Sequence, residues 1–181
     1  MKKSLIIKAS SDIKASSVLD IKSHLDCYRI ENECFNVSSF EELRAKLKEK
    51  KCDYLYFVGH GNERCFGNNE GFSLSWDAIG DLICETNCLN NDAKLMLYCC
   101  QGGRNIVANL LFSSCKGIRY ICGAKQDVTS VSLGVGFDVI LYDIENQSKD
   151  PVISAQHATS VTKINFECFD KMETEAHTIH L

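Results

Sequence analysis

The chain has a single proline, Pro151, and no Gly/Ser linker, low-complexity run or internal repeat, so nothing along its 181 residues marks a domain boundary. It also lacks an apolar run fit for a bilayer. Met1-Lys2-Lys3-Ser4 leads only into Leu5-Ile6-Ile7, too brief for the apolar region of a signal peptide or for a transmembrane helix, and a cytoplasmic protein without membrane contact is expected. Charge of one sign is missing as well: 20 Lys and Arg face 24 Asp and Glu, a net charge of −4, scattered rather than blocked. No stripe suits a phosphate backbone, so nucleic acid is not an expected partner. No GxGxxG or GxxxxGK[ST] follows any strand-like run, which weighs against a flavodoxin-like nucleotide or phosphate binder. No CxxC has a second CxxC or an HxxxH to complete a four-ligand set, so no metal and no cofactor is expected.

Cysteine, by contrast, is plentiful, at 11 residues. In a reducing compartment free cysteine behaves as a small buried hydrophobe, and Cys52, Cys84, Cys115, Cys122 and Cys168, each among apolar neighbours, read as core residues. With 45% hydrophobic residues, the chain can bury one core, and residues 1–181 read as a single domain.

Strand-like runs at Ser4–Ala9, Tyr54–Gly59, Lys94–Cys99 and Ile118–Gly123 alternate with segments of helical spacing, and a more polar strand between Tyr28 and Val37 suits a sheet edge. Ser39 with Glu42 forms a capping-box signature ahead of Leu43 and Leu47. Further helices are expected over Ser75–Asn87, Asn105–Cys115, Val131–Asp143 and Val152–Phe169. The Gly/Asn-rich stretch from His60 to Leu74 reads as a hairpin or mobile loop rather than core. Alternation of this kind predicts a mostly parallel sheet with helices on both faces.

Two of the most apolar runs stop at reactive side chains: Asp53–Gly59 ends at His60-Gly61, and Lys94–Cys99 ends at Cys100-Gln101-Gly102-Gly103. In an open α/β sheet the carboxyl edge is where ligands bind, and tips of neighbouring strands about 4.8 Å apart can converge on one crevice. A thiol with a pKa near 8.5 is mostly protonated at neutral pH, and an imidazole beside it can take up the proton and later deliver it to a leaving amine. The glycines let a substrate backbone approach, and the helix that follows Gly103 offers N-terminal amides to developing negative charge.

Tyr98-Cys99-Cys100-Gln101-Gly102 resembles the Q-A-C-[RQG]-G segment of caspases, whose histidine lies roughly fifty residues upstream. It is closer to CHAT domains, caspase relatives: Tyr56-Phe57-Val58-Gly59-His60-Gly61 looks like their strand ending in His-Gly, and Leu97–Gly103 like their L-S-A-C-x-T-G. Lys116–Ala124 and Val152–Lys163 resemble the family's next strand and its closing helix. The resemblance runs from about residue 53 onward; the first fifty residues match only in pattern.

The resemblance implies a caspase-like three-layer sandwich and a cysteine endopeptidase that cleaves specific protein substrates, with His60 and Cys100 as the catalytic dyad and the amides of Gly61 and Cys100 as the oxyanion hole. In that register Cys99 takes a small, packed position. Tyr98 stands where relatives carry the polar residue of the pocket before the scissile bond, so aspartate specificity is not implied, and Asp127 in the loop Lys125-Gln126-Asp127 is a candidate for receiving a basic residue. Tyr98 and Asp127 are thus the substrate-binding candidates. A protein partner or a cleavage event is expected to regulate the enzyme, and bacterial defence or cell death is implied by resemblance alone. The alternative is a catalytically silent interaction module on the same fold.

Overall fold

A computed structural model describes residues 1–9 and 15–173. Its frame is a six-stranded sheet built from β1 (Lys3–Lys8), β2 (Glu31–Asn36), β3 (Cys52–Val58), β7 (Leu89–Tyr98), β8 (Tyr120–Ala124) and β9 (Phe166–Asp170), in the order β2-β1-β3-β7-β8-β9. The first five strands run parallel and β9 closes the far edge antiparallel to β8. A second, three-stranded antiparallel sheet is made of β4 (His60–Gly61), β5 (Cys65–Gly67) and β6 (Ser73–Ser75).

The near-continuous apolar character of β3 and β7 follows from burial on both faces. On one face Leu55, Phe57, Leu95, Leu97 and Cys99 pack against α2 (Phe40–Leu47), α3 (Trp76–Thr86) and α4 (Asn105–Ser114). On the other, Tyr54, Tyr56, Met96 and Tyr98 pack against α1 (Ala15–Cys27), α5 (Ser130–Gln147) and α6 (Pro151–Thr162). The arrangement is therefore helix layer, sheet, helix layer, as the alternating sequence pattern leads one to expect. The polar β2 does lie at the sheet edge.

The helix signals hold in detail. Ser39 Oγ accepts from the Glu42 amide at 3.1 Å, although the Glu42 carboxylate reaches back to Ser38, one residue earlier than a standard capping box. Asp150 caps α6 by accepting from the Val152 amide at 2.8 Å, with Pro151 in the first turn. Asp150→Ala is expected to cost about 1 kcal/mol, a Tm drop of roughly 2–4 °C for a domain of this size, measurable by thermal melting. A change below about half a degree would mean that Pro151 alone sets this helix start.

Three expectations need correction. The segment Val152–Phe169 is not one helix: α6 stops at Thr162, Lys163 turns left-handed at φ 62°, and Phe166, Cys168 and Asp170 are buried at alternate positions as β9. Thr159 Oγ1 both accepts from the Phe166 amide and donates to its carbonyl, so the last turn of the helix itself redirects the chain into the strand. In the stretch from His60 to Leu74 the hairpin reading holds, as two antiparallel pairs, but the exclusion from the core does not: Phe66 is fully buried, edge-on to Phe57 at 5.2 Å and beside Trp76 at 6.1 Å. Lastly, Cys84 is exposed rather than core, and Cys122 and Cys168, both buried, are joined as a disulfide where the β8–β9 register sets them directly opposite. α1 is a further element, one that the sequence pattern did not announce. Among the described residues no helix is long and apolar enough to cross a membrane.

Candidate active site

The parallel register of β3 and β7 places Val58 opposite Tyr98, and the Gly59 amide donates to the Tyr98 carbonyl at 3.3 Å. His60 and Cys100 thus follow matched positions at the carboxyl tips of two neighbouring central strands. A direct backbone contact confirms the approach: a Cβ placed on Gly61 would fall 2.6 Å from Cys99 Sγ and 2.9 Å from the Cys100 carbonyl oxygen. Any side chain at 61 would push the two tips apart, so glycine is what lets the His60-Gly61 corner seat on the Cys99-Cys100 corner.

After Cys100 the chain turns sharply. Gln101 is left-handed at φ 58°, and its amide donates to the Gln126 carbonyl at 3.2 Å. The Gly103 amide donates to the Ala124 carbonyl at 2.9 Å, and a Cβ on Gly103 would lie 2.1 Å from the Gly123 carbonyl oxygen. The bend between β7 and α4 is therefore bolted to the backbone at the end of β8. That contact carries Cys100 to the mouth of the sheet.

Alternation along β7 sends neighbouring residues to opposite fates. Cys99 is buried among the α3–α4 core residues, and burial pushes its thiol well above the ordinary range, with the adjacent Cys100 adding to the effect. Cys100 is only half-buried; its thiol donates to the Val128 carbonyl at 3.5 Å and accepts from the Val128 amide at 3.4 Å. The structure therefore separates the two cysteines as the sequence pattern does, one packed and one presented. His60 is exposed, with its Nε2 3.0 Å from Asn69 Nδ2 in the turn between β5 and β6.

Of the substrate-binding candidates, Tyr98 lies in the core between the sheet and α5. It is 3% exposed, its hydroxyl donates to the Ser130 carbonyl at 2.7 Å and its ring stacks on Phe137 at 5.4 Å. That placement gives the side chain a packing role. Asp127 is on the surface beside the Cys100 turn, where its Oδ1 accepts from Gln101 Nε2 at 2.7 Å. An ion pair joins Arg104, at the start of α4, to Glu63, in the turn between β4 and β5. Asn69 and Val128 were not singled out by sequence reasoning; the asparagine run was legible only as a turn, and an apolar residue acting through its backbone leaves no signal. Compared with protein-family models and with curated proteins, the chain matches none.

Proposed function

We propose that the chain is a cysteine endopeptidase of the caspase-like type, with Cys100 as nucleophile and His60 as its acid–base partner. The observation that carries this reading is the convergence of the two residues at the tips of adjacent parallel strands, with Gly61 packed directly on the Cys100 backbone. The presented thiol at 100 beside a packed thiol at 99 also supports it.

In this reading His60 takes the Cys100 proton, and the thiolate attacks the scissile carbonyl carbon, forming a C–S bond as the carbonyl electron pair moves onto oxygen. Amides at positions 61 and 100 face that oxygen. Collapse breaks the C–N bond, and the leaving amine takes the proton held on His60. Water, giving a proton to His60, then opens the thioester and releases Cys100. No metal or cofactor enters the chemistry. A protein partner that orders the loops around Cys100 would set when the enzyme is active.

Asp127, one hydrogen bond from the residue after the nucleophile, gives the proposal a specificity: a basic residue before the cleaved bond. Asp127 is exposed, so an ion pair with Arg contributes about 0.2–1 kcal/mol in water, a preference of up to about fivefold. Matched Arg, Lys, Asp and Leu peptides compared by kcat/KM test this. The expected order puts Arg first, with the advantage lost in Asp127→Ala; an Arg preference that survives the substitution removes Asp127 from the pocket, and a preference for Asp contradicts the specificity. No turnover of any peptide that Cys100→Ala fails to match would leave the fold without this function.

A further inference from the structure

We infer that Asn69 is a positioning residue for His60, holding the imidazole in one orientation and one tautomer toward Cys100. The inference rests on the dyad reading above and deepens it.

Asn69 reaches His60 from a turn that is itself held in place. The Asn68 amide donates to the Phe72 carbonyl at 2.9 Å, and Asn68 Oδ1 accepts from the amides of Glu70 at 2.8 Å and Phe72 at 3.0 Å, closing the turn from inside. Asn68 Nδ2 donates to the Ala9 carbonyl at 2.8 Å, which ties the turn to the carboxyl end of β1. Beneath it, buried Phe66 anchors β5, whose Gly67 pairs with His60 in register. The small sheet is thus a bracket whose apex delivers an amide to the imidazole. The stretch that the sequence suggests is a hairpin or mobile loop is, in this reading, an ordered support for the general base.

An amide at a ring nitrogen selects between the two neutral forms of histidine. With Nδ2 donating, Nε2 is the acceptor and the ring proton sits on Nδ1, a form with no nitrogen left to take the Cys100 proton; with the amide turned, Oδ1 accepts from Nε2–H and Nδ1 is the acceptor, and this is the orientation in which Asn69 holds His60 ready as a base. When the Cys100 proton passes to His60, both ring nitrogens become donors and Asn69 can present Oδ1 to the imidazolium. The charged and titratable groups on the surrounding elements include Cys99 and Cys100 at the β7 tip, Cys65 on the paired strand β5, Glu70 in the same turn, Glu63 and Arg64 between β4 and β5, Arg104 paired with Glu63, and Asp127 beyond Gln101. Glu70 also engages neighbouring groups, so its charge needs its own control.

The test is the rate of Cys100 alkylation by iodoacetamide, followed by peptide mapping from about pH 5 to about pH 9, a range that brackets an ordinary histidine. It compares the wild-type chain with His60→Ala, Asn69→Leu, Asn69→Asp and Glu70→Gln. A net hydrogen bond of ordinary strength predicts that Asn69→Leu slows alkylation at neutral pH about five- to tenfold. Asn69→Asp, which stabilises the imidazolium and hence the thiolate–imidazolium pair over the neutral pair, is expected to keep or raise the neutral rate and to move the upper inflection to higher pH. Both Asn69 variants tracking wild type while His60→Ala departs from it would overturn the inference and leave the dyad standing. A shift carried by Glu70→Gln and absent from both Asn69 variants would overturn it too, by assigning the role to Glu70. Coincident wild-type and His60→Ala profiles would remove the dyad, and the inference with it. If Asn69→Leu does not fold, the near-isosteric Asn69→Asp decides the matter by its inflection.

Discussion

A thiol-directed electrophile, whether iodoacetamide or a peptidyl chloromethyl ketone, is expected to label Cys100 before any other cysteine, and Cys100→Ala is expected to abolish peptide turnover while leaving the melting temperature within about 2 °C of wild type. The first expectation follows from exposure and chemistry together. Cys27 and Cys84 are more exposed than Cys100, and Cys65 is comparably half-buried, so accessibility alone would favour the former two. Reactivity follows the thiolate fraction, and the proposed mechanism supplies a base for Cys100 from the adjacent strand tip, where the β3–β7 register places His60 at the matched position. Cys52, Cys88, Cys99 and Cys115 are held in the protonated form by burial and should label only on unfolding. The stability expectation follows from position: Cys100 is at a strand tip and its two contacts to Val128 are long, weak sulfur hydrogen bonds. Peptide mapping that found Cys84 or Cys27 modified first, with a chloromethyl ketone as well as with iodoacetamide, would remove the thiolate argument. First labelling at Cys99 would overturn the register of the whole site.

Trp76→Ala is expected to be the most damaging single core substitution, costing about 3–5 kcal/mol by urea denaturation. Trp76 is fully buried at the start of α3 and is the element that fastens the small sheet to the large domain face: its backbone amide donates to the Arg64 carbonyl at 3.3 Å, its indole Nε1 donates to the Asn62 carbonyl at 2.8 Å, and its ring packs beside Phe66. Truncation leaves a cavity among Phe66, Ile79 and their neighbours and strips the β4–β5 turn of its anchor. Trp76→Phe keeps most of the volume and gives up only the indole hydrogen bond, so about 1–2 kcal/mol is expected, including the cost of the unsatisfied carbonyl. Because His60 begins the same small sheet, Trp76→Ala should also slow Cys100 alkylation under conditions where the protein is still folded. A cost below about 1 kcal/mol for Trp76→Ala would mean that the small sheet holds its place without this tryptophan.

The parts legible in the sequence are those where one physical signal dominates. β3 and β7 are buried on both faces, so their apolar runs leave little room for another reading, and the residues that end them, His60 and Cys100, are conspicuous by contrast. α2 and α6 begin at residues chosen for capping or for a proline-compatible first turn. Elsewhere two signals overlap. The sequence from Ile164 to Phe169 is apolar at spacings that extend a preceding helix as easily as they fill a strand, and only the left-handed Lys163 and the pairing offered by β8 decide it. α1 buries Val18, Ile21 and Leu25 yet exposes Leu19, which blurs the helical stripe. The run from Asn62 to Gly71 has turn composition throughout, and its order comes from one apolar residue, Phe66, reaching the core, and from asparagine side chains bonding to backbone. Composition records neither.

At the site the same division holds. The pairing of His60 with Cys100 is readable because two residue types stop two strands, but Asn69 enters through a turn whose fold depends on Ala9, some sixty residues away in sequence. Tyr98 shows the converse: its position two residues before Cys100 suggests a pocket, yet strand alternation turns it to the α5 face, where Phe137 and the Ser130 carbonyl receive it.

The central claim is that His60 and Cys100 act together as a peptidase dyad, and the most direct measurement is cleavage of a diverse peptide library by the wild-type chain, His60→Ala and Cys100→Ala in parallel, with new N-termini identified by mass spectrometry. The account predicts cleavage at a defined set of bonds by wild type, with the same bonds intact in both variants and all three proteins equally folded. Cleavage that persists in Cys100→Ala, or loss in Cys100→Ala with full activity in His60→Ala, would contradict it.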